Sequence, residues 1–171
     1  MPRTTVSIQR ALGAVLGLAL LTAMPATAAA IDGPARLAIY YGYPSLVNGA
    51  AGNLVAAAAH FATFDVVVLG DGLEHPAHPD HANTAQIVTD IVAGGTEVYG
   101  YVDMGVTTQN LSIATAQQYV DEWDALGVTG IFWDDAGYDY GVDRARQVAL
   151  IDRRRERQRR DRRRLAAHQR A

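Results

Sequence analysis

The sequence predicts an α/β fold of four parallel βα units, arranged as the N-terminal half of a (β/α)8 TIM-type barrel. Three observations predict it. Short apolar runs alternate with amphipathic, helix-favouring segments between residues 37 and 151. Successive strand starts lie 27–33 residues apart, the length of a βαβ unit. Polar or aromatic residues follow each strand-like run: Tyr43, Asp71, Asp103, then Asp134 and Asp135. That pattern suits the C-terminal rim of a barrel. An open doubly wound sheet usually carries a Gly-rich phosphate loop after a strand, whereas Gly70-Asp71-Gly72 is an isolated pair.

Each element has a local reason. Leu37 to Tyr43 (LAIYYGY) is the first expected strand, closed by Pro44. Asn53 to Thr63 (NLVAAAAHFAT) favours helix through its alanines, with Asn53 as N-cap. Phe64 to Gly70 (FDVVVLG) is β-branched and nearly continuous in apolar character, as in a strand covered on both faces. His81 to Ala93 reads as the second helix, ended by Gly94-Gly95. Glu97 to Val102 (EVYGYV) is the third strand, and Ser112 to Leu126 the third helix with Gly127 as its stop. Val128 to Trp133 (VTGIFW) is the fourth strand, and Val142 to Ile151 begins a fourth helix. A full barrel of this type has eight units and about 250 residues.

The ends of the chain differ from this middle. Residues 1–30 place Arg3 and Arg10 before an apolar run at 11–21, then Pro25 and the small residues Ala26, Ala28 and Ala30. This reads as a secretory signal peptide cleaved after Ala28 or Ala30. Its apolar run is shorter than the roughly 20 residues of a membrane-spanning helix. The expected location is therefore extracellular, with no membrane attachment after cleavage. Residues 36–151 form the expected globular unit. Residues 152–171 carry ten arginines against three acidic residues and offer no apolar strand. This tail is expected to be a helical extension or an out-of-frame product. All 15 basic residues are arginine, which suits GC-rich coding DNA and truncation by frameshift after the fourth unit. Four units alone would leave two sheet edges open, inviting self-association of half barrels.

Composition excludes several classes. There is no cysteine, hence no disulfide framework, thiolate zinc site or cysteine nucleophile. Residues 31–151 carry three arginines against fifteen acidic residues, net -12, a poor nucleic-acid surface. No G-x-S-x-G elbow accompanies the serines. His75, His78 and His81 stand at a spacing that zinc or copper accepts, but Pro76 and Pro79 keep the stretch extended. A substrate-facing or solvated loop is preferred, with no metal and no cofactor.

Acidic strand ends at one rim point to carbohydrate chemistry. Breaking a glycosidic bond takes one carboxyl group to protonate the leaving oxygen and another as nucleophile or base. Asp134, directly after the apolar run Gly130-Ile131-Phe132-Trp133, is the expected catalytic carboxylate. Asp71, Asp103 and Asp135 are candidates for binding hydroxyl groups, with caps or loop contacts as their alternative role. Tyr41, Tyr43 and Tyr138 offer flat faces with polar tips for sugar rings.

The runs Tyr40-Tyr41-Gly42-Tyr43-Pro44, VVVLGDGL, VYGYVDMGV, GVTGIFWDDAGYDYG and RARQ resemble the secreted endo-α-1,4-polygalactosaminidases, and more closely their spherulation-protein relatives. The resemblance spans residues 37–151 and is strongest at Gly127, Val128, Gly130, Ile131, Phe132 and Asp134. It implies a (β/α)8 barrel in which Asp134 matches the fourth-strand catalytic aspartate, with a catalytic glutamate on a later strand. That later strand has no counterpart after Ile151, and Asp135 stands where the family usually has asparagine. The expectation is a glycoside-hydrolase-like protein acting on polysaccharide, an α-1,4-linked galactosamine polymer by resemblance. The alternatives are a non-catalytic carbohydrate-binding or cell-surface protein, and a non-functional fragment.

Overall fold

The structure is a computed structural model and describes residues 34–151. The expected signal peptide and arginine-rich tail lie outside the described residues. Four strands form one parallel sheet: β1 (Leu37–Tyr40), β2 (Val66–Leu69), β3 (Glu97–Asp103) and β4 (Gly130–Asp134), in the order β1-β2-β3-β4. Helices α1 (Leu54–Phe61), α2 (His81–Ala93) and α3 (Ile113–Ala125) fill the three crossovers. Residues 144–151 are helical after β4 and are termed α4. The fold is therefore α/β with four βα units.

Because each strand is added on the same side of the last, right-handed crossovers bring all three connecting helices to one face of the sheet. The core sits between them. Ala38 and Tyr40 of β1, Val67 and Leu69 of β2, Val98 and Val102 of β3, and Ile131 and Trp133 of β4 belong to this helix-side cluster. They meet Phe61 of α1, Ile87 and Ile91 of α2, and Trp123 of α3, all essentially buried. Each such side chain contributes about 1.5–3 kcal/mol by leaving water.

Local chemistry starts and stops the elements. Asn53 caps α1 by accepting from Ala56 N at 3.1 Å, and Ser112 caps α3 by accepting from Thr115 N at 3.0 Å. Gly95 (φ 97°) and Gly127 (φ 83°) take the left-handed conformation just after α2 and α3. At Gly100 the indole of Trp123 lies against the backbone of β3, where any Cβ would collide with it. The same indole donates to Tyr101 O at 3.1 Å.

The strand boundaries differ from the sequence reading. β2 keeps only Val66–Leu69 of the expected Phe64–Gly70, and β3 runs one residue further, to Asp103. β1 and β4 shift as well. β1 ends at Tyr40 rather than Tyr43, because the chain turns at Gly42 (φ 131°) into a short 3-10 helix at Pro44–Gly49. That helix is pinned from afar: Ser45 donates through Oγ at 2.6 Å and N at 2.9 Å to the buried Asp80 carboxylate. β4 begins at Gly130, where the ladder to Tyr99 of β3 starts, and extends one residue further to Asp134. No helix among the described residues is long and apolar enough to cross a membrane.

Candidate functional site

The C-terminal strand ends collect the candidate side chains. Asp103 closes β3 in register with Asp134, the last residue of β4. Two residues earlier, Tyr101 is in register with Phe132, their rings 6.4 Å apart and nearly parallel. Tyr41, after β1, lies over Gly70, just past β2, where a Cβ would collide with its ring. Its ring also meets Tyr101 edge-on at 5.3 Å. Gly70 thus admits a ring that any larger residue would displace.

These side chains form a hydrogen-bonded series. The Tyr101 hydroxyl donates to the Asp134 carboxylate and is itself bonded to Tyr41. Burial, reinforced by the negative charge of Asp134, pushes the Tyr101 hydroxyl far above the usual phenol range. Burial and then Asp134 raise Tyr41 as well. Both phenols therefore stay protonated, and Tyr101 remains a fixed donor to Asp134. Asp135 follows with φ 49°, a left-handed conformation that Asp tolerates better than most residues. Partial burial, then the charges of Asp134 and Asp103, hold its carboxyl above the ordinary value, opposed by a hydrogen bond from Thr108.

Asp103 shapes the neighbouring loop. Its Oδ1 accepts from Gly105 N at 2.6 Å and from Thr108 Oγ1 at 2.8 Å. Arg146 of α4 braces the same loop, donating to Met104 O at 2.6 Å and Leu111 O at 2.8 Å. The sequence alternatives for Asp103 thus combine: it binds loop groups and still borders open space.

That space is a cavity of about 370 Å³. Tyr41, Tyr101 and Tyr119 supply its aromatic walls, while Asp71, Glu74, Asp103 and His75 supply its ionisable ones. Asp71 reaches it from a backbone at φ 71°. Neither Asp134 nor Asp135 lines the cavity directly; Asp134 joins it through Tyr101. Tyr43 and Tyr138 stand apart. Tyr43 packs its ring 5.1 Å from that of His78, and Tyr138 is 75% exposed.

Glu74 and Glu122 have no precedent in the sequence reading. Glu74 is 3% exposed and its Oε2 has no hydrogen-bond partner. Burial pushes its carboxyl up; its own backbone amide and His75 oppose this. Glu122 of α3 accepts from His75 Nδ1 at 2.6 Å and from Gln118 at 2.8 Å. Burial acts upward on Glu122, but these two hydrogen bonds and the charge of His75 carry it below its ordinary value. The other histidines go elsewhere: His81 Nδ1 donates to Leu73 O at 2.9 Å, and His78 Nδ1 accepts from Asp80 N at 3.1 Å. Among the described residues no group of three His, Asp or Glu side chains is placed to hold a metal ion.

No protein-family model matches the chain, and no curated protein matches it.

Proposed function

We propose that residues 36–151 are the first half of a (β/α)8 barrel in a secreted glycoside-hydrolase-like protein that acts on polysaccharide, an α-1,4-linked galactosamine polymer being the preferred substrate. The observation that carries this reading is the Tyr41–Tyr101–Asp134 series beside a cavity walled by tyrosines and carboxylates. Tyrosine faces suit sugar rings, and the fixed phenol donor orients Asp134. Charge supports the substrate class: fifteen acidic residues against three arginines in residues 31–151 attract a polymer bearing ammonium groups. The unbroken strand order, with its helices on one face, suits a barrel better than a doubly wound sheet, in which the order reverses.

In this reading Asp134 is the nucleophile or electrostatic stabiliser at the anomeric carbon, and the rim tyrosines hold the sugar. Export is assigned to residues 1–30, and the open edges of β1 and β4 offer pairing to a second copy. Asp134→Asn is expected to abolish release of reducing ends from galactosamine polymer while leaving retention on immobilised polymer intact. Undiminished release by that variant overturns the assignment. The second reading, binding without cleavage, draws on Asp103, whose Oδ1 is committed to its own loop. Polymer retention by the wild-type chain with no reducing ends released decides in its favour.

A further inference from the structure

We propose that the cavity takes the ammonium group of its ligand on Asp103, and so selects a free primary amine on a ring-sized body over a hydroxyl or an acetamide. The inference rests on the polysaccharide reading for the sugar body of the ligand, and asks no bond cleavage of the cavity. It starts from a carboxylate that the protein uses by half. Asp103 is 3% exposed. Its Oδ1 holds the loop through Gly105 N at 2.6 Å and Thr108 Oγ1 at 2.8 Å, while Oδ2 accepts from no described residue. Oδ2 is not sealed in: among the described residues, the only side-chain polar atom both sealed from solvent and unpartnered is Glu74 Oε2. Asp103 lines the cavity, so the accessible sliver of this otherwise buried carboxylate opens there.

The surroundings decide which donor that oxygen takes. Asp71, Glu74 and Asp103 bring three carboxyl groups to one cavity, and no arginine among the described residues lines it. Arg146 directs its guanidinium to the backbone oxygens of Met104 and Leu111, and Arg36 lies beside Asp65. His75 is the one basic group of the lining, and its Nδ1 is already bonded to Glu122. A carboxylate held away from water needs a charged donor to offset its desolvation, which a neutral hydroxyl does not supply. Among the described residues no three His, Asp or Glu side chains are placed for a metal ion, which leaves an organic cation. An ammonium group has three donors and can serve more than one carboxylate. Tyr41, Tyr101 and Tyr119 add aromatic walls, which favour both a cation and the apolar side of a sugar ring. The volume of about 370 Å³ lies at the small end of ligand pockets and suits one ring. An N-acetyl group would remove the charge and add bulk at the same point.

The test measures binding of galactosamine, galactose and N-acetylgalactosamine to the full chain by titration calorimetry at low salt. Galactosamine is expected to bind about 10-fold or more tightly than the other two, and to lose that margin at high salt. Asp103→Asn keeps a carbonyl oxygen for Gly105 and Thr108 while removing the charge. It is expected to weaken galactosamine binding by about 10-fold, to the level of galactose. No binding, equal affinity for the three sugars, or an unaltered margin in Asp103→Asn overturns the proposal. If that variant does not fold, Asp71→Asn replaces it, because Asp71 is exposed and Asn tolerates its backbone at φ 71°. An unaltered margin there overturns the proposal in turn. Wild-type protein that prefers galactosamine yet releases no reducing ends from the polymer upholds the inference and removes the hydrolytic reading. Cleavage of the polymer without that preference removes the inference alone.

Discussion

β1 and β2 are neighbouring four-residue strands, LAIY and VVVL, in parallel register, yet they end in different environments. Val67, Val68 and Leu69 of β2 are 0–2% exposed, while Leu37 and Ile39 of β1 are 54% and 49% exposed. Composition does not separate them. Position does: β2 has a strand on each side, so Val68 is flanked in register by Ile39 and Tyr99. β1 is an edge, and the residues that alternate away from the helices have a neighbour on one side only. An apolar strand is thus buried by what flanks it, and the exposed row on β1 is the cost of an open edge.

The comparison is broken most directly by matched leucine truncations. Leu69→Ala is expected to cost about 2–5 kcal/mol in urea denaturation, because it empties a closed core. Leu37→Ala is expected to cost under about 0.5 kcal/mol, since its side chain is already half in water. A large loss at Leu37 that depends on protein concentration would mean that a second copy covers β1, erasing the contrast. Gly100→Ala probes the next interior strand. A Cβ there meets the indole of Trp123, and a loss of about 1–3 kcal/mol is expected from overpacking. Thermal unfolding indistinguishable from wild type would show that the indole moves aside freely.

The smallest effect is the pH dependence at the cavity. Glu74 has a raised folded-state value, so the native chain holds its proton where the unfolded chain has lost it. Its contribution to stability is present at low pH and falls as pH rises through that window. Glu122, whose value is lowered, acts with the opposite sign and loses its contribution as pH falls. Urea midpoints of wild type and Glu74→Gln, measured between about pH 4 and 7, are expected to diverge in favour of the variant as pH rises. A constant gap would show that Glu74 ionises alike in both states.

Much of the fold was legible in the chain. The bounds of α2, His81–Ala93, match the sequence reading, and Asn53 and Ser112 cap α1 and α3. Caps and stops depend on bonds between residues three or four apart, so local composition suffices to place them. The strand ends were less legible. β1 carries apolar and aromatic character to Tyr43, but a ladder extends only while a partner runs beside it, and pairing stops at Tyr40 with Leu69. The 3-10 helix at Pro44–Gly49 escaped notice because its anchor, Asp80, lies 35 residues away from Ser45.

The site divides the same way. Aspartates at strand ends could be read from their place after apolar runs, since the direction of a parallel strand sets which end carries the rim. Their partners could not. Tyr101 reaching Asp134, His75 tied to Glu122 at a separation of 47 residues, and the burial of Glu74 leave no periodic trace. By itself the sequence determined the alternation of strand and helix, the acidic surplus and the chemistry at the strand ends, because these rest on residue type and short-range spacing. Only the tertiary structure decided which of those groups share a cavity, which are buried and which hold a proton, because desolvation and charge act through space across elements that the chain keeps far apart.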